Sequence, residues 1–450
     1  MADGAGGLVN KVLMIAYFFP PAGAVGVYRT LKFMKYLPQF GWQPVALTTA
    51  NGKFPKYDED LLELIPQGAA VHRCRGWEWL NEGENARSQR EGGRRTLGAR
   101  IRNRLYMWWH ALVVPDTRVT WVPSALAAAR RIVRREGIRH VYISGSPFSS
   151  FLIGALLKRS DDVRVIVDYR DPWTQNITYP RRARLLQWLD RRLERWVVRS
   201  ADVVVSNTRH NDERMFEEFG LAQPRDKFVT IHNGFDADDF TGVARERSER
   251  FTITYAGAFY YSVGSDFRTE AGNEVMETYS PLYFFAALEK LFARRPDSKA
   301  RFRVNFMGVL GEGYDPVIRE RGLEGVVHRL GYLPYDEHLR VLVNADVLLL
   351  VLSRGERSRG WIPSKFFQYL GTGNAILALA PEGEVRDVMT ETRAGTCVDP
   401  DDVEGAAAAI EALYDAWAAG GPLGGPDRAG AAAYERRNLT ARLARALDSC

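Results

Sequence analysis

The chain has 450 residues, a formal charge of +6, 46% hydrophobic and 26% charged residues. That length exceeds one ordinary core and implies two or three domains, while the balance excludes a disordered or collagen-like chain. Three distant cysteines, Cys74, Cys397 and Cys450, exclude a disulfide framework and a cysteine-rich zinc site. The first apolar stretch, 12–19, falls well short of the ~20 residues a membrane span needs and no small-residue cleavage site follows it. The expectation is a cytoplasmic protein.

From the amino end, Val- and Ile-rich runs at 11–17, 44–49, 69–73, 139–144, 163–168, 202–206 and 228–231 read as strands. Helical periodicity fills 26–38, 122–136, 149–158, 182–199 and 209–219. Such alternation is the sequence form of a parallel sheet covered by helices. After "IHNGFDADDF" and the charged "TGVARERSER" it restarts, with strands expected at 251–256, 302–308, 325–330, 346–352, 375–380 and 394–399. The second set of helices is expected at 281–294, 315–321, 335–343, 363–371, 384–390 and 402–418. The expected organisation is therefore a doubly wound domain over 1–235, a linker at 236–250, a second doubly wound domain over 251–425, and a terminal segment, 426–450. Leu439, Leu443 and Leu447 would let that segment dock back as a last helix. Ligands of such domains lie beyond the carboxyl ends of the strands, which places the expected site in the cleft between the two.

Every chemically suggestive loop follows an expected strand. "YFFPPAGAVGVYR" sets Gly23, Ala24 and Gly26 between the first strand and the first helix, where glycines admit close approach of a phosphate or sugar, or simply make a tight turn. "ISGSPFSS" brings Ser146 to the end of another strand, to line the cleft or to cap the next helix. "VIVDYRDPW" ends a buried strand with Asp168, Arg170 and Asp171, either a polar group facing the cleft or an internal salt bridge. In "RGWIPSKFFQYLGTGN", Pro363 suits a first helical position, and free N–H groups beside Lys365 make an anion site, with Arg354, Arg357 and Arg359 in the preceding loop. A lysine in a first turn opposes the helix dipole unless an anion offsets it. No Ser-His-Asp trio, HExxH or Walker A loop can be placed. The Asp-Asp pairs at 161–162, 238–239 and 401–402 read as helix starts or turns rather than metal ligands, and His232 as part of the crossing between domains.

Positive charge collects in "RRTLGARIRNRLYMWWH" (94–110) and "RRARLLQWLDRRLERWVVR" (181–199). Leu185, Leu189, Leu193, Trp196 and Val197 share one stripe of the second segment, which could pack on a core or rest on anionic lipid. No nucleic-acid motif accompanies the charge, so nucleic acid is not an expected partner.

Together, "YFFPPAGAVGVYRTLKFMKYLPQFGWQPVALT", "VPDTRVTWVPSA", "SGSPFSSFLIG", "VDYRDPW", "ADVVVSNTR", "IHNGFDADDF", "GYLPYDEHLRVLVNADVLLL" and "IPSKFFQYLGTGNAILAL" resemble, in matching order over about 11–447, bacterial glycosyltransferases of family 4, in the branch carrying a P-S-K-x-x-E-Y helix. The resemblance implies a GT-B fold of two Rossmann-like domains and transfer from a nucleotide diphosphate sugar to a glycan, lipid-linked or secondary-metabolite acceptor. It also implies retention of configuration, no cofactor, no metal, and a cytoplasmic enzyme that could lie at the inner membrane face. Gly23, Ala24, Gly26 and Ser146 would border the reacting centre. Arg170 and Asp171 would touch sugar and acceptor. Gly257 would border the diphosphate, Gly331, Tyr332 and Leu333 the base, and Ser353, Pro363, Ser364, Lys365 and Gln368 the phosphates and ribose.

Three departures accompany the resemblance. The family's pair of glutamates falls on Gly360 and Gln368, and an amide is a weaker acceptor than a carboxylate. The cations relatives carry after the first strand of the second domain are represented between Ala256 and Lys290 only by Arg268, inside an apparent insertion, 262–280. No histidine occupies the usual catalytic loop of the first domain. Two other readings stay open: a GT-B sugar nucleotide epimerase, and a non-catalytic nucleotide-sugar-binding protein.

Overall fold

The computed structural model describes residues 10–77, 109, 112–176, 179, 182–220, 222–246, 248–259, 279–355 and 358–450. The chain divides into two compact α/β units, 1–232 together with 436–450, and 233–435.

The first unit is a seven-stranded sheet, parallel throughout, in the order β3-β2-β1-β4-β5-β6-β7. The strands are β1 (Asn10–Ala16), β2 (Trp42–Thr49), β3 (Ala70–Cys74), β4 (His140–Gly145), β5 (Arg164–Tyr169), β6 (Val203–Ser206) and β7 (Phe228–Thr230). Helices cover both faces, so the strands read as unbroken apolar runs: Val12, Leu13, Met14 and Ile15 are all fully buried. The strand order reverses at β1 and β4, which leaves a crevice beyond their carboxyl ends.

Within this core sits a charge. The Arg29 guanidinium, 1% exposed on helix Val25–Tyr36, donates to both carboxylate oxygens of Asp168 on β5 at 2.7 and 3.0 Å, and to the carbonyls of Ile231 and His232 at 2.8 and 2.7 Å. Tyr142 Oη donates to the same carboxylate, and burial together with Asp168 pushes its phenol well above the usual range. A fully buried carboxylate is tolerated because every neighbour donates to it. Of the two sequence readings of "VIVDYRDPW", Asp168 takes the internal ion pair.

The helix Arg436–Asp448 belongs to this unit, burying Leu439, Leu443 and Leu447, and Trp42 Nε1 donates to Asp448 at 3.0 Å. The expected helix 209–219 is α-helical only over Arg209–Met215 and continues as a π-turn, Phe216–Gly220.

The second unit is a six-stranded sheet, order β10-β9-β8-β11-β12-β13. These are β8 (Phe251–Phe259), β9 (Phe302–Leu310), β10 (Val327–Gly331), β11 (Val347–Val351), β12 (Ala375–Leu379) and β13 (Gly395–Val398). Alternation along β11 feeds two cores, Val347, Leu349 and Val351 on one face, Leu348 and Leu350 on the other. The expected boundaries shift here. The His232 carbonyl is held by Arg29, whereas the Phe235 N–H donates to Tyr434 O at 3.2 Å, so the units divide at 232/233 rather than after 235. The stretch expected as a linker packs on the second unit: Phe240 lies over Gly371, and Glu246 N–H donates to Asn344.

Arg29→Leu strands the Asp168 carboxylate and should cost about 3–5 kcal/mol, read as a lowered unfolding midpoint of the first unit with that of the second unmoved. Adding Asp168→Leu should recover most of the loss, and an unchanged single variant would refute the pair's structural role.

Candidate active site

Each unit presents half of the expected constellation. In the second, helix Ser364–Thr372 begins after Pro363 in extended conformation, and its first-turn N–H groups have no acceptor within the helix. Lys365 Nζ lies 3.8 Å from the centroid of the buried Tyr255 ring. Among the described residues no carboxylate pairs with it. Desolvation pulls its ammonium down to about 7; the ring face attracts this cation while the partial positive helix end opposes it, which leaves it short of one counter-charge.

The backbone keeps the space beside it open. Gly257, at φ +141, faces this lysine so closely that a Cβ there would stand 2.8 Å from Nζ. Its partner across the ladder is Gly308, at φ +105, where a Cβ would meet the Gly257 carbonyl at 2.2 Å. Gly308 went unread in the sequence, although glycine in register at the ends of two adjacent parallel strands marks close backbone approach. Ser364, Lys365 and Gly257 are thus brought together. Ser353 is buried beyond β11, its hydroxyl 3.0 Å from that of Ser358. Gly331 ends β10 and Tyr332 and Leu333 follow it, two strand spacings or roughly 10 Å from β8. Tyr332 is 77% exposed. Gln368 is half-buried on helix Ser364–Thr372, and burial lowers the pKa of His338.

Two of the expected cations have acidic partners. Arg354 is paired with Asp401 at 2.5 Å and Arg359 with Glu382 at 3.9 Å, and the Arg359 carbonyl accepts the Glu384 N–H at 2.8 Å. Both pairs are substantially exposed and hold these side chains only weakly. Arg268, Arg357 and nearly all of the 262–280 insertion lie outside the described residues, as does most of the 94–110 cluster.

In the first unit the glycine loop meets β5. Gly26, inside the first helical turn, lies directly against Arg170, whose Nη1 would be 1.0 Å from a Cβ at that position. The guanidinium is tied to the carbonyls of Gly145 and Ser146, the latter at 2.8 Å. Burial lowers Arg170 from its usual value while Asp171 opposes it. Asp171 itself is exposed, and desolvation by surrounding protein holds its carboxyl above the ordinary range. Gly26, Ser146 and Arg170 are brought together. Gly23 takes another role: its N–H donates to Lys56 O at 2.9 Å, so it fastens a loop instead of offering a donor to ligand. Ala24 O caps the Val27 N–H at 3.0 Å. Asp116 also escaped the sequence reading; it accepts from Arg118 N–H, Ser149 N–H and Ser149 Oγ, pinning the start of helix Ser149–Ser160. Among the described residues no cluster of His, Cys, Asp or Glu could hold a metal ion.

Residues 26–234 match the family model of a glycosyl transferase 4-like domain. The whole chain has the GT-B fold, two Rossmann-like units. At 12% identity it is similar to Anabaena HepE in complex with UDP (TM-score 0.58, covering 98% of this chain and 100% of that one). It is similar also, at 12% identity, to a sucrose-phosphate synthase of Thermosynechococcus elongatus (TM-score 0.57, 98% and 98%). A UDP-N-acetylglucosamine 2-epimerase assignment in Listeria monocytogenes shares the fold too (12% identity, TM-score 0.52, 98% and 96%). No curated protein matches this chain by sequence.

Because Lys365 titrates at about 7 when folded and near 10.4 when unfolded, the unfolded chain binds more protons between these values. This lysine therefore makes the ligand-free protein gain stability as pH rises through that window. Lys365→Met should raise the midpoint at pH 7 and flatten this rise. A lowered midpoint would overturn the assignment of an unpaired lysine.

Proposed function

We propose that this glycosyl transferase 4-like protein moves a sugar from a nucleotide diphosphate sugar to an acceptor, with retention and without a metal ion. The second unit holds the donor and the first receives the acceptor. Carrying this reading is Lys365: a cation on an aromatic face, without a carboxylate, at a helix start and beside two glycines that leave room for a diphosphate. The difficult step is departure of the nucleoside diphosphate, which gathers negative charge on phosphate oxygens. Preorganised donors in a poorly solvated site stabilise that charge more than water does. Lys365 and the first-turn N–H groups of the helix fill this role. As the bond from the anomeric carbon to phosphate breaks and that to the acceptor oxygen forms, the acceptor proton passes to a phosphate oxygen on the same face. No side-chain base is then required, in keeping with a first-unit loop that lacks histidine.

Gln368, where a carboxylate would grip ribose hydroxyls, offers an amide, which is a weaker acceptor. Donor affinity is accordingly supplied more by the phosphates than by the ribose. HepE's complex with UDP makes uridine the first base to test, and the shared fold of the Listeria protein makes an acceptor-free control necessary. UDP at a hundred times its dissociation constant should stabilise the protein by about 2.7 kcal/mol. Its affinity should fall as pH rises above about 7, where free Lys365 loses its proton. Lys365→Met should remove the pH dependence and lower turnover at least about a hundredfold. Gly26→Ala, by evicting Arg170, should lower turnover with UDP binding intact. Conversion of the donor without any acceptor would replace transfer with epimerisation, and absent turnover with intact binding would favour a binding protein.

One further observation favours contact with an anionic membrane surface. Helix Arg184–Ser200 buries its two carboxylates, Asp190 and Glu194, and exposes Leu185 (66%), Trp188 (51%) and Leu189 (36%) among arginines 184, 191 and 192. Thr174 donates to Glu194, whose burial pushes it up to about 8, while Arg182 and Tyr179 donate to Asp190. With the acids inside, the outer face is apolar and cationic, the pattern of an interfacial helix. Among the described residues no helix is long and apolar enough to cross a membrane. Vesicles containing phosphatidylglycerol should bind the protein, and neutral vesicles should not. Leu185→Ser with Trp188→Ser should weaken binding about tenfold or more, and retention by the double variant would remove this helix from the interface.

A further inference from the structure

A second polar cavity lies in the first unit, beyond the carboxyl ends of β2 and β3. It measures about 490 Å³ and is lined by Asn51, Lys53, Tyr57, Arg73 and Trp77, with Pro21 at one edge. Its walls are rigidly built. Asn51 exchanges hydrogen bonds with Gly76, N–H to Oδ1 and Nδ2–H to O, both at 3.0 Å. Arg73 Nη2 donates to Pro20 O at 2.7 Å, Tyr57 Oη to Gly52 O at 3.0 Å, and Arg118 Nη2 to Lys53 O at 3.1 Å. Two backbone bonds, Gly23 N–H to Lys56 O and Asp58 N–H to Pro21 O, both 2.9 Å, join this wall to the glycine loop. The loop that Gly23 fastens is therefore the wall of the cavity.

Its chemistry is one-sided. Both charged side chains among the described lining residues, Lys53 and Arg73, are cations, and no acid is among them. Among the described residues neither has a carboxylate partner, and burial lowers Arg73 from its usual value. At the rim two aromatic rings are left open to solvent, Trp77 at 75% and Tyr57 at 49% exposed. Large exposed rings beside a polar cavity are a recognition device, because an indole face takes the apolar C–H face of a pyranose while hydroxyls and charge turn toward polar groups. A volume of this size suits one or two sugar rings.

We infer that this cavity is an acceptor subsite that selects an anionic saccharide, its ring on Trp77 and Tyr57 and its carboxylate or phosphate on Lys53 and Arg73. The inference rests on the transferase reading above and adds to it the class of acceptor: a sugar already carrying a uronate or phosphate group. Lys53 and Trp77 are the residues that set this preference, without taking part in bond-making.

Calorimetric titration of the full chain, with UDP present to fill the donor site, tests it using glucuronic acid, glucose 1-phosphate and glucose as probes. Glucuronic acid or glucose 1-phosphate should bind at least tenfold more tightly than glucose, and whichever of the two binds better identifies the anion. Lys53→Gln should bring the anionic probes down to the level of glucose, whereas Trp77→Ala should weaken all three alike. Both side chains protrude enough for folding to survive their replacement, with UDP binding as the control. Equal binding of glucose and the anionic probes, or indifference to both substitutions, overturns the subsite. Loss of UDP binding alone, with saccharide binding kept, would instead strike the donor assignment.

Discussion

The first unit depends on a buried charge. Arg29 reaches from the first helix to Asp168 on β5 and to the carbonyls of Ile231 and His232, where the chain leaves the unit. One guanidinium with a fixed fork of donors can satisfy a carboxylate and two carbonyls together, which an apolar side chain could not. By fixing the end of β5 it also fixes where Arg170 begins, two residues on. Arg170 in turn can lie against the first helix only because position 26 carries no Cβ. The placement of Arg170 thus follows from a polar bond inside an apolar core, where breaking one partner would leave the other uncompensated.

The second unit works by an opposite device. There a charge has no carboxylate partner among the described residues, Lys365 on the face of Tyr255, with Gly257 and Gly308 holding the backbone clear. Such an arrangement costs stability in the free protein, and a bound anion would return it. The described arginines of the 354–359 loop, by contrast, sit in exposed pairs with Asp401 and Glu382, which are weak.

The element pattern was largely legible because parallel strands covered on both faces must be apolar throughout, and helices between them must repeat every 3.6 residues. β1, β5, β8 and β11 stand close to where Val- and Ile-rich runs placed them. Less visible was the division between units, since the chain at 233–246 looks like a linker by composition and yet packs its aromatic residues against helix Ser364–Thr372. The helix Arg184–Ser200 was read as one apolar stripe, but only its second half is covered, with Val197 and Val198 buried and Leu185 and Trp188 in solvent. Periodicity tells which residues share a face, not how far along the helix the neighbouring layer extends.

Sequence by itself determined the two α/β units, the loops that carry chemistry, the helix start at Pro363 and the candidacy of Lys365, because these rest on local preferences and short spacings. Only tertiary structure decided that Asp168 is an internal anchor, that Gly23 fastens a wall while Gly26 admits Arg170, and that Lys53, Arg73 and Trp77 border one cavity. Those outcomes join residues as far as 203 positions apart, Arg29 and His232. Roles of that kind depend on which donors and acceptors have already been satisfied by distant neighbours, and a polar residue in a sequence does not show who will satisfy it.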